Sequence, residues 1–163
     1  MMCLLKQAIL PIKCKYKIPT KQYLDQGKYP VIDQGQEFIG GYTNDEAGVI
    51  SQLPVIVFGD HTRVFKYVDF PFVAGADGVK IFQAKSCLLP KLLFYFLQAV
   101  TLPDRGYARH YQYLVKSMIP VPPLAEQKRI VKKIEELFGV IDEQVKRLEA
   151  THAALVSYRQ SIL

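Results

Sequence analysis

The sequence predicts an α+β protein: a globular mixed-sheet domain followed by one long C-terminal helix. Before residue 122, short apolar segments alternate with turns rich in Gly, Pro and Asp, which is typical of strands. After Pro123 there is no further proline, and apolar residues recur at helical spacing. We therefore predict a boundary between a domain over 1–121 and a helical region over 122–163.

The helical region carries a heptad stripe of apolar side chains. Its predicted contact residues are Ile130, Ile134, Leu137, Ile141, Leu148, Leu155, Tyr158 and Ile162. At about 1.5 Å per residue such a helix spans roughly 60 Å, which is too long to lie along one small domain. Part of the stripe therefore requires another partner.

The domain before the helix is predicted to contain several strands and one buried helix. Strands are expected over 29–32, 54–58, 64–68, 71–73 and 79–82, with turns at 59–63 and 75–78. The nearly all-apolar segment 90–100 begins with Pro90, a residue favoured in the first turn of a helix.

Composition excludes some classes of protein. No apolar stretch reaches the about 18 residues that a membrane span requires, and a signal peptide is not expected at the N-terminus. The three cysteines form no Cys-x-x-Cys pair, which indicates reduced thiols in a cytoplasmic protein. Scattered Cys and His residues predict no zinc site, and no nucleophile elbow is present.

The net charge of +6 is concentrated near the N-terminus, where six lysines precede residue 29 against one aspartate. Lys13, Lys15 and Lys17 alternate with apolar or aromatic residues and would share one face of an extended segment. Two interpretations stay open: solvated lysines that blunt an edge strand, or a strip that contacts phosphates.

Polar loops between the apolar segments are candidates for nucleic-acid recognition. Arginine can fork onto guanine and glutamine onto adenine in the major groove, while His and Thr also form hydrogen bonds there. Together with the lysines, the candidate DNA-binding residues are Lys13, Lys15, Lys17, Lys21, Gln34, Gln36, His61, Thr62, Arg63, Arg105, Tyr107, Arg109, His110 and Gln112. Asp60 and Thr62 also suit a purely structural role as turn caps.

A metal-dependent nuclease is a weaker alternative. Asp104 followed by Glu126 and Lys128 imitates a pattern in which carboxylates hold a divalent ion beside a lysine. Glu126, however, falls in the first turn of the long helix, where an acidic residue is favoured by the helix dipole alone. We therefore predict no catalytic residue and no metal site in this chain.

The segment that joins the domain to the helix resembles a known junction. The run Pro120-Val121-Pro122-Pro123-Leu124-Ala125-Glu126-Gln127-Lys128-Arg129-Ile130-Val131 is similar to that of specificity subunits from type I restriction-modification systems. Segments 29–35, 59–63, 75–80 and 106–111 also look like family segments, so the resemblance covers about residues 18–163.

This resemblance implies a target recognition domain that reads half of a bipartite sequence in double-stranded DNA. It also implies a helical spacer that forms an antiparallel coiled coil and docks methyltransferase subunits, with a restriction subunit in the full complex. The chain itself would have no activity and no cofactor. S-adenosylmethionine would bind the methyltransferase, and ATP with Mg²⁺ the restriction subunit.

Family members usually carry two recognition domains and two spacers, whereas this sequence has one of each. The resemblance is poor over residues 3–18. We therefore expect a half-length subunit or a fragment, paired as a homodimer through its helix, with an interrupted palindrome as target. The alternative is a basic coiled-coil scaffold that does not read DNA sequence.

Overall fold

The computed structural model describes residues 1–14, 16–75, 78–103 and 109–162. The chain divides into two compact units, Met1–Gln127 and Lys128–Leu163. We call the first unit the head. The α+β class and the long C-terminal helix are confirmed.

The strands are β1 (Met2–Leu4), β2 (Ile9–Ile12), β3 (Tyr29–Ile32), β4 (Gly41–Thr43), β5 (Val49–Ile50), β6 (Val55–Gly59), β7 (Phe65–Val68), β8 (Phe72–Ala74), β9 (Val79–Ala84) and β10 (Met118–Pro120). The helices are α1 (Leu5–Ala8), α2 (Pro90–Gln98), α3 (Tyr111–Leu114) and α4 (Leu124–Ile162), and a 3-10 turn covers Thr20–Gln22.

The first sheet is antiparallel, with strand order β2-β9-β6-β7. Its central strand β6 is buried at every position, so the apolar run from Val55 to Phe58 does not alternate with polar residues. One face packs on the second sheet, and α2 covers the other with its buried Leu92, Leu93 and Leu97. Burial on both faces explains the continuous apolar sequence of β6.

The second sheet is mixed and has the order β4-β3-β8-β5. β3 and β8 run parallel, with Val31 opposite Val73, and the outer strands pair antiparallel to them. β8 and β9 follow each other in sequence but belong to different sheets. The strands expected over 71–73 and 79–82 therefore lie in different sheets and do not form a hairpin.

One apolar core joins the two sheets. Val55, Val57 and Ile81 of the first sheet meet Ile32 and Phe72 of the second, and all five side chains are buried. A third, two-stranded sheet pairs β1 with β10, so that Cys3 lies opposite Ile119. The first strand of the chain is thereby held beside the segment that precedes α4.

The predicted long helix forms as α4 and contains 39 residues. From Leu137 onward the apolar stripe of α4 is exposed: Leu148, Leu155 and Tyr158 retain 69%, 61% and 67% of their accessible surface. Exposed ion pairs, such as Arg147 with Glu143 one turn earlier, lie on the helix surface. Within the described residues, no helix is long and apolar enough to cross a membrane.

Candidate nucleic-acid interface

The loop between β6 and β7 is a tight connection closed by backbone hydrogen bonds. Gly59 donates to the carbonyl of Val64 at 2.9 Å, and Arg63 donates to the carbonyl of Gly59 at 2.8 Å. Arg63 has a φ of 63°, in the left-handed region that non-glycine residues rarely occupy. The loop therefore holds an exposed arginine in a strained backbone conformation, a feature that is concentrated at functional sites.

Asp60 is the structural centre of this loop and is only 3% exposed. Its Oδ1 accepts a hydrogen bond from the Tyr111 N–H at 2.7 Å. Its carbonyl accepts from the His110 N–H at 3.0 Å, and its own N–H donates to the carbonyl of Gly78 at 2.7 Å. Asp60 thus ties together three segments that are distant in sequence.

His110 is fully buried, and its ring supports the same connection. The Nδ1 atom lies 3.0 Å from the Asp60 carbonyl oxygen, which assigns the proton to Nδ1 because a carbonyl only accepts. The side chain was predicted to bind DNA. The structure gives it a bracing role, and its role toward DNA stays a prediction.

A third loop, which follows β3, meets the β6–β7 loop through Gln34. The Thr62 hydroxyl donates to the Gln34 carbonyl at 2.6 Å, and the His61 N–H points to Gln34 Oε1 at 3.4 Å. A side chain on Gly78, at φ 85°, would meet Gln34 Oε1 at 2.6 Å and His61 at 2.8 Å. Glycine is therefore required where the loops converge.

Asp33 holds the β3 loop in place. Its Oδ1 accepts from the Gly35 N–H at 2.8 Å, and its Oδ2 accepts from the Tyr23 hydroxyl at 3.2 Å. The Lys66 ammonium lies 3.6 Å from Asp33 and donates to the Glu37 carbonyl at 2.6 Å. Burial lowers the pKa of Lys66, and the attraction of Asp33 opposes that shift.

These contacts assemble what we call the recognition cluster, defined as residues 34–36, 61–63 and 109–112. Exposed polar side chains on it are Gln36, Thr62, Arg63, Arg109 and Gln112. The structure thus brings together three of the loops predicted to bind DNA. The predicted residues Arg105 and Tyr107 lie outside the described residues.

The lysines that were predicted to contact DNA lie in different environments. Lys13 and Lys21 are exposed, whereas Lys17 is half-buried and donates to the Val79 carbonyl at 3.1 Å. β2 ends at Ile12, so Lys13 and Lys17 lie beyond the strand. Lys15 lies outside the described residues. Their contact with phosphates stays a prediction.

Sequence reasoning missed the bracing residues Asp33 and Lys66. A signal was available, because strand alternation in β7 puts Lys66 on the same face as Val68, and both are buried. A lysine at a core position of a strand indicates a buried partner. The partner itself, Asp33, is far away in sequence.

The start of α4 is anchored in the head by Gln127, which is 1% exposed. Its side-chain amide accepts from the Leu89 N–H and donates to the carbonyls of Cys87 and Pro122, each at 2.8 Å. The amide thereby satisfies backbone groups just before α2 as well as the proline segment before α4. Its neighbour Glu126 lies in the first turn of the helix.

Among the described residues, no group of three or more His, Cys, Asp or Glu side chains could hold a metal ion. Asp104, the first carboxylate of the nuclease alternative, lies outside them.

Comparison with known families covers most of the chain. The model of the type I restriction modification DNA specificity domain matches residues 7–150. The chain belongs to this family. The resemblance to type I specificity subunits that the junction residues indicated is thereby confirmed.

Two relatives from Escherichia coli support the assignment. The EcoR124I/EcoR124II type I specificity subunit is 31% identical over 170 residues, which covers 91% of this chain and 40% of the relative. The EcoBI specificity subunit is 40% identical over 50 residues, covering 31% of this chain and 10% of the relative.

Solved structures show the same fold. A chain from a study of the assembly of the type I R-M system matches with a TM-score of 0.76 at 19% identity, covering 99% of this chain and 44% of that one. The S subunit from M. genitalium has a TM-score of 0.64 at 15% identity, covering 92% of this chain and 41% of that one. The chain therefore spans less than half the length of these relatives.

Proposed function

We propose that this chain reads one half of a bipartite sequence in double-stranded DNA and has no catalytic activity of its own. The observation that carries the proposal is the recognition cluster, where side-chain and backbone hydrogen bonds hold three polar loops together on one scaffold. Base reading requires hydrogen-bond donors and acceptors in fixed positions. Ordering a flexible loop on binding costs conformational entropy, and this cost weakens the affinity for DNA.

The exposed side chains of the cluster suit the edges of bases in the major groove. Arg63 and Arg109 offer the forked donors that match guanine, and Gln36 offers the paired donor and acceptor that match adenine. Gln112 donates one N–H to the Arg109 carbonyl at 3.3 Å and keeps its second N–H and its Oε1 for an adenine edge. Gln34 already binds the 59–63 loop through its side chain, so we assign it mainly to support of the neighbouring readers.

We also propose the partners that the family implies. Methyltransferase subunits would dock on the helical region, and a restriction subunit would join the full complex. S-adenosylmethionine, ATP and Mg²⁺ would be bound by those partners and not by this chain. The assembly would act in the cytoplasm, where its DNA substrate is found.

The exposed stripe of α4 supports a further part of the proposal, an antiparallel coiled coil with a second copy of the chain. Ile141, Leu148 and Leu155 lie seven residues apart and are each more than half exposed. A second helix would remove these side chains from water. Two-fold symmetry would then predict an interrupted palindrome as the DNA target.

The test is selection of bound sequences from a random duplex library by the purified chain, with and without its methyltransferase partner. Enrichment of one short motif, or of the motif and its inverted repeat, is the expected result. Stable dimers that bind the library without enrichment would favour the scaffold alternative. Cleavage of the library with Mg²⁺ would favour the nuclease alternative.

A further inference from the structure

An open cleft of about 460 Å³ lies beside the recognition cluster, at the place where β2 ends and leaves β9. The last paired residues of the two strands are Ile12 and Ile81. Beyond them Val79 and Lys80 of β9 line the cleft, together with Lys13, Cys14 and Lys17 from the segment after β2. The cleft is therefore a product of the sheet geometry and not a gap between flexible side chains.

Lys17 occupies the unpaired edge of β9. Its ammonium donates to the Val79 carbonyl at 3.1 Å, a group that β2 does not reach. An ammonium has three donors, so one bond to Val79 leaves capacity for a ligand in the cleft. The bond also fixes the position of the charge at the cleft wall.

Lys80 lies on the same strand, opposite Phe58 of β6. Its ammonium is 5.7 Å from the centre of the Tyr111 ring, a cation–π distance. The ring is held by tilted contacts with Phe58 and Phe82, each at 6.4 Å between centroids. The Lys80 ammonium therefore lies over a tyrosine ring that is fixed by its own packing, and both residues line the cleft.

The charge of the cleft is strongly positive. Its described lining contains Lys13, Lys17 and Lys80 and no carboxylate. Tyr111 belongs both to this lining and to the recognition cluster, and its N–H is bonded to Asp60 at 2.7 Å. An anion in the cleft would therefore lie next to the loop that presents Arg63.

We propose that this cleft binds a phosphodiester of the DNA backbone and so fixes the register of the recognition cluster on the duplex, with Lys17 and Lys80 as the principal ligands. The proposal rests on the proposed function and assigns a site to its phosphate contacts. Phosphate contacts position a protein on DNA without reading its sequence. Lys80 was not among the residues predicted to bind DNA from the sequence.

The test uses the full chain and a fluorescein-labelled duplex of random sequence, with binding measured by anisotropy over a series of potassium chloride concentrations. Each phosphate contact contributes about 0.9 to the slope of log K against log salt. Lys80→Gln and Lys17→Gln should each reduce the slope by about that amount, and Lys80→Arg should restore it. Inorganic phosphate should compete only weakly, since a free anion gains nothing from the neighbouring duplex contacts.

Lys28→Gln is the matched control, because Lys28 also lies over a tyrosine ring, at 5.2 Å from the centre of Tyr29, but is paired with Glu46 and does not line the cleft. It should leave the slope unchanged. Thermal melts followed by circular dichroism establish that each variant is folded. If Lys17→Gln unfolds, the test rests on the loss of slope in Lys80→Gln and its rescue in Lys80→Arg.

The outcomes separate the two proposals. If the wild type selects a sequence but Lys80→Gln keeps the wild-type slope, the phosphate site is wrong and the proposed function stands. If the slope falls but no sequence is selected, the phosphate site stands and sequence reading is wrong. If the wild type binds no duplex DNA, both are wrong. Strong competition by inorganic phosphate would assign the cleft to a free anion.

Discussion

Removal of the Asp60 carboxylate tests the bracing of the recognition cluster. In Asp60→Ala, the Tyr111 N–H loses an acceptor at 2.7 Å, in a region where the replaced side chain is only 3% exposed. A hydrogen bond to a charged group contributes about 1.5 to 3 kcal/mol, and a partly buried N–H without an acceptor retains its desolvation cost. We therefore expect the free energy of unfolding to fall by about 2 to 3 kcal/mol.

Urea unfolding and thermal melts followed by circular dichroism measure this loss. For a chain of this size, each 1 kcal/mol corresponds to about 2 to 4 °C in the melting midpoint. Asp60→Asn keeps an amide oxygen as acceptor and should lose about half as much. Asp69→Ala removes an exposed aspartate from the end of β7 and should change stability by less than about 0.5 kcal/mol. Equal stability of the Asp60→Ala and Asp69→Ala variants would refute the bracing role.

Three further changes test the site and the junction, and a fourth tests the helix. Arg63→Ala and Arg63→Gly should both lose about 1 to 3 kcal/mol of discrimination in a binding assay on selected against scrambled duplexes. The glycine variant should be more stable to unfolding than the alanine variant by about 1 kcal/mol, because glycine accepts the φ of 63° without strain. An equal loss of affinity for selected and scrambled duplexes would make Arg63 a phosphate contact. Gln127→Ala should lose about 2 to 4 kcal/mol of stability in urea unfolding, because three hydrogen bonds disappear. The control Gln144→Ala, on an exposed part of the helix, should lose little stability. Equal losses in the two variants would contradict the anchoring role of Gln127. Burial lowers the pKa of Lys66 below its ordinary 10.5, so between the folded and unfolded pKa values the unfolded state binds more protons. The stability of the wild type relative to Lys66→Met should therefore rise with pH in that alkaline range, and a fall with pH in urea unfolding would contradict this. Leu148→Glu should convert a dimer to a monomer in light scattering, and a wild type that is already monomeric at micromolar concentration would contradict the coiled coil.

Local patterns predicted the elements of this fold well. The heptad spacing predicted α4, the apolar run 54–58 predicted β6, and Pro90 marked the start of α2. Each prediction depends on interactions within one segment, namely propensity, periodicity and the geometry of proline. The junction residues also identified the family.

Non-local pairing could not be predicted in the same way. The parallel contact of β3 with β8, and the separation of β8 from β9 into different sheets, depend on how the two sheets share one core. The bond between Asp60 and Tyr111 joins residues that are 51 positions apart. Loop composition indicated polar surfaces, but only the folded chain distinguishes the buried Asp60 and His110 from the exposed Arg63.

Sequencing the duplexes that the chain retains from a random library shows whether the recognition cluster reads a DNA sequence. We predict enrichment of one motif by the wild type and loss of that enrichment in Arg63→Ala, with binding to unselected DNA largely kept. Retention of duplexes without any preferred sequence, by the wild type alone and with the proposed methyltransferase partner, would contradict this prediction.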